Sequence, residues 1–325
     1  MQRPTLPIGV VLIHWNSGLD VTGACIASLL EGSVVPQWVV VVDNASREDP
    51  ITQLKAKFPA IHGIRNAANI GFTGGNNVGI RWLMAQGAGS IWVLNNDTVV
   101  AEDCLEQLHY ALANSDDIGI TTGKIYYFDK RNVFWDAGTA WNGRTFFGRH
   151  RGMGEVDIGQ YDFAEDVPFA DGCCMLIRTR ALVDAGLFDE RFFAYNEDID
   201  LSFRIAAEGN RIVFQPAAKL WHRVSHSMSK NATLRGGQTS PFQQYLSIRN
   251  RLYLIRRYSK DTGQRILLEA LFVGRLVLIY LPALICLGRF RKVYAVCAAL
   301  KTGLSADLRH VEFVPRSCYE QDVQP

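Results

Sequence analysis

The densest chemistry in the chain lies in Phe192–Arg204, FFAYNEDIDLSFR. Glu197, Asp198 and Asp200 fall inside it, with Asp189 and Glu190 just before. Two readings compete. The inner acids stand where a first helical turn should begin, ahead of a helical run from Ile199 to Glu208 that Gly209 stops. Carboxylates there meet unpaired amides and the positive end of the helix dipole. Asp200 can also pair with Arg204, one turn on. The other reading is catalytic. Phe192 and Phe193 would hold an acid at the edge of an apolar pocket, and a carboxylate so placed can act as a general base. Asp198, beside Glu197, is the candidate.

Other polar groups follow apolar runs. Asp43 comes directly after Val39–Val42. A carboxylate held there can accept the ring N–H of a uracil or thymine, or it can simply form a turn with Asn44. The stretch Asn69–Asn77, NIGFTGGNN, sets Asn69, Gly71, Phe72, Gly75 and Asn76 ahead of a helix. Such a loop brings backbone amides close to a ligand, and a helix start favours anions. It has neither the GxGxxG nor the GxxxxGK[ST] spacing, so the dinucleotide fingerprint and the phosphate loop are both unsupported. A plain glycine-rich turn is the competing reading. Asp97 is the one acid in Asn95-Asn96-Asp97-Thr98. With diphosphate oxygens and waters it can hold Mg²⁺ or Mn²⁺; otherwise it caps a helix near Glu102. His14 and Asn16 follow the first apolar run. His222 ends a later one, with His226 four residues on. An imidazole there is a metal-ligand candidate and equally a structural group.

These groups need a scaffold that gathers them. Apolar runs at Ile8–Ile13, Trp38–Val42, Ile61–Arg65, Ile91–Leu94, Ile118–Ile125 and Met175–Arg178 read as strands, the most continuous as buried parallel ones. Helical spacing covers Asp20–Leu30, Asn76–Gln86 and Glu102–Ala113. The alternation predicts an open α/β sheet with right-handed crossovers. Ligands of such sheets bind at the carboxyl ends of the strands, where His14, Asp43 and Asn95–Asp97 fall. Arg211–Phe214 and Ala218–Trp221 read as two runs separated by Pro216.

The chain has 325 residues, 48% apolar and 20% charged, enough for a large core. A net charge of +2 gives no reason to expect nucleic acid. The cysteines are Cys25, Cys104, Cys173, Cys174, Cys286, Cys297 and Cys318, an odd number with no CxxC and no signal peptide ahead of them. They read as reduced thiols in a cytoplasmic setting.

Six stretches in order carry a resemblance: VVVVDNAS, NIGFTGGNNVGI, WVLNNDT, DGCCMLIR, GLFDERFFAYNEDIDLSFR and LWHRVSHS. The chain resembles the family 2 glycosyltransferases of GT-A fold, and among them the rhamnosyltransferase-like enzymes, over roughly residues 8–250. The resemblance implies an α/β, GT-A type open mixed sheet with helices on both faces. It implies an inverting enzyme using a nucleotide-diphosphate sugar, dTDP- or UDP-linked, and a divalent cation, Mg or Mn. The family's base-contacting aspartate falls on Asp43, with Asn44 after it. Its Asp-x-Asp metal motif falls on Asn95-Asn96-Asp97, where only the last acid is kept. Its catalytic aspartate falls on Asp198, and a metal-binding histidine found in some members falls on His222.

Residues 126–170, rich in glycine and aromatics, read as a loop and short-strand insertion over the sheet that ends at Asp171-Gly172. In the family this region borders the acceptor. Trp135 and Trp141 are candidates for stacking on sugar faces, or for core filling. The expected division is 1–240 for the glycosyltransferase domain, nucleotide-sugar half 1–125 and acceptor half 126–240, and 241–325 for a helical extension. That extension carries Arg249, Arg251, Arg256, Arg257 and Lys260, then the apolar run Ile266–Leu287 and a further helix at Val293–Leu300. In-plane helices on the cytoplasmic face of the inner membrane, reaching a lipid-linked glycan acceptor, are expected. A spanning helix, a buried cap and an oligomer surface are the alternatives. Two other function classes remain open. A sugar-phosphate nucleotidyltransferase would need a basic glycine-rich loop after the first strand, and HWNSGLD is not one. A non-catalytic glycan-binding membrane protein would have no need to keep Asp198.

Overall fold

The structure, a computed structural model, describes residues 6–223 and 239–306. In chain order the first half runs β1 (Ile8–His14), α1 (Leu19–Leu30), β2 (Trp38–Asp43), α2 (Pro50–Lys57), β3 (His62–Arg65), α3 (Gly71–Ala85), β4 (Ser90–Asn95), β5 (Thr98–Val100), α4 (Cys104–Asn114) and β6 (Ile118–Tyr127). The second half continues with β7 (Lys130–Asp136), β8 (Thr139–Asn142), β9 (Phe147–His150), β10 (Glu165–Asp166), β11 (Cys174–Arg178), α5 (Thr179–Ala185), α6 (Glu197–Ala207) and β12 (Arg211–His222). Four helices close the described chain: α7 (Pro241–Tyr258), α8 (Thr262–Arg275), α9 (Leu281–Cys286) and α10 (Phe290–Ser305).

The main sheet has the order β10-β12-β6-β11-β4-β1-β2-β3, with β5 paired to β12 and β7 to β6. β1 runs parallel to β2 and β4, and β2 parallel to β3. β11 is antiparallel to both β4 and β6, so the sheet is mixed. Alternation splits each central strand between two cores. Val10 and Leu12 face Ile26 and Leu108 on one side, while Val11 faces Ile80 and Leu83 on the other. That is why these strands read as unbroken apolar runs. Each fully buried Val or Leu stabilises the fold by about 1.5–3 kcal/mol. Gly79 lets α3 lie close to the sheet: a Cβ there would stand 2.4 Å from Val11 Cγ2.

Three local expectations change. The glycine-rich stretch is not a loop, because α3 begins at Gly71 and takes in Gly74, Gly75, Asn76 and Asn77. The two runs around Pro216 form one strand, β12, whose register against β6 shifts between Gln215 and Lys219. A bulge there accommodates a residue with no N–H to give the ladder. The helix after Asp97 starts only at Cys104, and β5 intervenes. Asp97 is therefore not a helix cap. The insertion at 126–170 contains β7 to β10, as its texture implies.

α7 does not stand apart from the sheet domain. Asn250 is fully buried, and its Nδ2 donates to the carbonyls of Phe192, Ala194 and Tyr195 at 2.9, 2.8 and 2.7 Å. Beyond it, Thr262–Cys286 is a 25-residue helical run, and an 18-residue stretch of it has a mean hydropathy of 2.0 and is 11% buried.

Candidate active site

The parallel strands bring the three polar clusters to one edge. In register, His14 lies beside Asp43, and Ile13 beside Asn95. Thr22 Oγ1 ties the edge together: Asn96 Nδ2 donates to it at 2.7 Å, and His14 Nδ1 lies 2.9 Å away. Burial lowers the His14 pKa, against the opposing charge of Asp43.

Asp43 is fully buried. Its Oδ1 accepts the Ser46 N–H at 3.0 Å, and its Oδ2 faces Arg65 Nε at 3.3 Å. A base N–H would share this carboxylate with Arg65, a partner that the sequence pattern did not signal. Next to it a cavity of about 440 Å³ is lined by His14, Asn16, Ser46, Arg47 and Glu48. Asn16 is held in a left-handed conformation (φ 49°), its N–H on Ser46 Oγ and its Oδ1 accepting from Arg47 N.

The amides and glycines of the 69–77 stretch are spent on structure. Asn44 Nδ2 donates to Gly71 O at 2.7 Å, while Asn69 Oδ1 accepts from Gly71 N. Gly71 (φ +80°) meets Phe193, whose carbonyl would lie 2.4 Å from a Cβ. At Gly75 a Cβ would press on Asn44. Asn76 Nδ2 bonds Phe72 O within the helix, and its Oδ1 is buried without a partner. Phe72 itself lines the main cavity.

That cavity, about 530 Å³, joins the strand ends to the acids. Asn95, His222, Trp135, His150, Asp171, Gly172, Glu197 and Asp198 all line it. β5 fixes the first part, because pairing Thr98 with His222 sets Asp97 Oδ1 3.1 Å from His222 Nε2. Asn95 Nδ2 lies 3.4 Å from the same nitrogen. Among the described residues no group of three or more His, Cys, Asp or Glu could hold a metal. One carboxylate and one imidazole fit a cation whose remaining ligands are diphosphate oxygens and water. His226 lies outside the described residues.

The acids near 197 separate by partner. Asp200 is fully buried against Arg204 Nε at 2.9 Å and the Tyr258 hydroxyl at 2.7 Å, and Arg257 also binds it. Asp189 meets Arg191 and Arg257, each at 2.7 Å, while Glu190 faces Asn77 and Arg81. These are structural acids. Among the described residues, no arginine pairs with Glu197 or Asp198. Asp198 Oδ2 accepts the Gly172 N–H at 3.1 Å, and Oδ1 accepts that of Ile199 at 2.8 Å. Amides alone would depress its pKa, as a helix cap requires. Burial and the charge of Asp171 outweigh both these amides and the opposing charge of His150, and raise Asp198 to about 6. Burial, then the Asp198 charge, pushes Glu197 well up. The loop that aims these acids is strained: Phe193, Tyr195 and Asn196 all have positive φ, at 63°, 73° and 65°. The amide of Asn250 holds it there.

His150 escaped the sequence reading, since nothing in GRHRG marks it. Its Nδ1 lies 3.5 Å from Asp136 Oδ1 and 3.4 Å from Asp171 Oδ2, and its ring lies 4.9 Å from that of Trp135. Burial opposes its charge, but Asp136, Asp171 and Asp198 raise its pKa to about 9. The two tryptophans part company. Trp135 lines the cavity, whereas Trp141 packs edge-on against Phe146 and Phe203 and lines a neighbouring groove.

Residues 4–251 match the family described as Glycosyltransferase like family 2. The chain is 25% identical to the low-salt glycan biosynthesis hexosyltransferase Agl10 of Haloferax volcanii, over 75% of this chain and 74% of that protein. To the dTDP-rhamnosyl transferase RfbF of Shigella flexneri it is 23% identical, over 77% and 80%. A 65-residue stretch is 38% identical to an N-acetylglucosaminyl-diphospho-decaprenol L-rhamnosyltransferase of Mycobacterium tuberculosis, 20% of this chain and 21% of that one. The match to the uncharacterized protein y4gI of Sinorhizobium fredii spans 28% of that protein. The fold is shared with GalNAc-T7 bound to UDP, GalNAc and Mn²⁺ (TM-score 0.56, 15% identity, 77% of this chain and 48% of that one). It is shared too with the mannosyltransferase PcManGT of Pyrobaculum calidifontis bound to GDP-Man and Mn²⁺ (TM-score 0.52, 14% identity, 93% and 76%).

Proposed function

We infer that this chain, which belongs to the family 2 glycosyltransferases, moves a sugar from a nucleotide-diphosphate donor to a glycan hydroxyl with inversion. The observation that carries this reading is the single cavity. It joins His222 and Asn95 at the strand ends to Glu197 and Asp198, which pair with no arginine among the described residues. Donor phosphates at the first end and an acceptor hydroxyl at the second would meet at the anomeric carbon.

Asp198 takes the proton of the acceptor hydroxyl as its oxygen bonds to the anomeric carbon. On the opposite face the bond to the diphosphate breaks, and the nucleotide leaves with the electron pair. One displacement inverts the centre, so no second carboxylate nucleophile is needed. The Gly172 and Ile199 amides orient the carboxylate of Asp198, and its raised pKa leaves it basic enough to accept the proton near neutral pH. A divalent cation, when bound, neutralises the leaving diphosphate; Asp97 and His222 would hold it. His14, Asn16 and Asp43 would surround the nucleoside. Trp135 and Asp171 would border the acceptor sugar.

We read the donor as a dTDP- or UDP-linked hexose and the acceptor as a lipid-linked glycan of cell-surface polysaccharide synthesis; the relatives named for dTDP-rhamnosyl transfer and for a diphospho-decaprenol acceptor support rhamnose and the lipid link. The exposed apolar side of Thr262–Cys286 supports work at a membrane surface, which we take to be the cytoplasmic face. The test is a panel of dTDP-, UDP- and GDP-sugars with Mn²⁺, read as donor hydrolysis and as a shift in melting temperature. One nucleotide class should stand out. A panel in which none acts or stabilises removes the reading.

A further inference from the structure

The lining of the cavity that holds Asp198 also carries two cations. Arg149, on β9, and Arg251, on α7, line it beside Phe147. Arg251 is the more informative. Its Nη2 donates to Thr145 O at 2.8 Å, and its guanidinium packs 4.7 Å from the Phe147 ring and 4.8 Å from that of Phe272. Its Nε is buried without an acceptor. The nearby charge is another cation, Arg275 at the end of α8; burial first, and then that charge, lower the Arg251 pKa to about 10.

The other arginines of α7 are engaged. Arg249 bonds the carbonyls of Arg191 and Phe192, Arg256 faces Glu269 at 3.6 Å, and Arg257 is held by Asp189 and Asp200. Among the described residues, Arg251 has rings, one carbonyl and a like charge around it. A buried donor with no acceptor is costly, and two cations brought together add repulsion. An oxyanion in the cavity would relieve both.

We propose that Arg251, with Arg149, binds a phosphate or diphosphate ester carried by the acceptor. The proposal rests on the reading above, in which Asp198 deprotonates an acceptor hydroxyl. The acceptor sugar then lies between the acids of the cavity and its arginines. Guanidinium groups match phosphate oxygens two at a time. Two guanidinium groups suit a multiply charged group better than a lone carboxylate. α8, which ends in Arg275, exposes Ile266, Leu267 and Leu271. An ester with an apolar chain would therefore meet apolar surface beyond its phosphates.

The full chain, kept in EDTA so that no cation bridges phosphate to Asp97, is titrated by calorimetry with farnesyl diphosphate, farnesol, farnesoic acid and inorganic pyrophosphate. Farnesyl diphosphate should bind best. Arg251→Gln should weaken it by about tenfold to a hundredfold, the loss expected for a charge-assisted contact, with Arg251→Lys in between. Arg149→Gln, at an exposed position, should weaken it severalfold, and it decides the matter alone if the Arg251 variants fail to fold. Unchanged affinity in the folded variants overturns the site. Equal binding of farnesol would leave only apolar attraction, of farnesoic acid a carboxylate site, and of pyrophosphate a free-phosphate site; each overturns the proposal. Melting shifts of the same proteins with UDP and dTDP in Mn²⁺ report the donor reading separately. If no nucleotide shifts the wild-type chain, that reading falls while the titration still decides the arginine site.

Discussion

At the residue scale, partnership separates working acids from structural ones. Asp200 and Asp189 are locked to arginines, whereas Asp198 holds only amides and faces the cavity. Asp198→Asn should therefore keep the fold and nucleotide binding but cut transfer by ~10²–10⁴-fold, the usual loss for a general base. A variant that retains a tenth of wild-type turnover would assign the proton to another group. The pH profile gives a second check. A carboxyl raised to about 6 must be ionised to act, so kcat/KM should fall as pH drops through that value. The positive charge of His150 lowers the Asp198 pKa from where burial and Asp171 would put it. His150→Gln should move the acid limb of the profile to higher pH. An unmoved limb means that His150 only packs against Trp135.

At the scale of elements, two contacts distant in sequence build the site. The first is β5 on β12, which sets Asp97 beside His222. Treatment with EDTA should stop transfer, and Mn²⁺ or Mg²⁺ should restore it; Asp97→Ala should raise the cation concentration required. Full activity in EDTA would mean that basic side chains neutralise the diphosphate. The second contact is α7 on the loop before α6. Asn250→Ala strands the Ala194 and Tyr195 carbonyls of a strained loop, at a cost of ~2 kcal/mol or more. The melting temperature should fall. Turnover, measured where the variant is still folded, should fall further, because the left-handed residues at 193, 195 and 196 would relax and re-aim Asp198. Turnover that merely tracks the folded fraction would reduce the clamp to ordinary packing.

At the scale of the whole molecule, the basic run of α7 is not a membrane-facing patch. Arg249, Arg256 and Arg257 turn inward to carbonyls and acids. What faces outward is apolar: Ile266, Leu267, Leu271, Leu278 and Ile279. Binding to a bilayer should then rest on apolar burial and resist salt, because screening weakens only exposed charges. Full-length protein should sediment with membranes and stay there in 1 M NaCl, while Leu267→Glu with Leu271→Glu should release it. Release of the wild type by salt alone would return the role to charge, and protein that never sediments would assign the face to an oligomer interface.

What the sequence determined by itself was the periodic part. Unbroken apolar runs marked the central strands, because both faces of that sheet are buried, and the polar residues that ended them marked one edge. The acids of Phe192–Arg204 were visible too, but not which of them were free. That depended on Arg257 and Asn250, more than 50 residues later, and no local spacing encodes it. The glycines of α3 read as a loop, since local propensity disfavours them in a helix. Close packing on Val11, Asn44 and Phe193 requires them there. His150 and Arg65 carried no pattern at all, and Arg251 was legible only as one member of a basic run. Their roles come from charges and rings that only the folded chain brings within a few ångströms, in a medium where burial makes those contacts count.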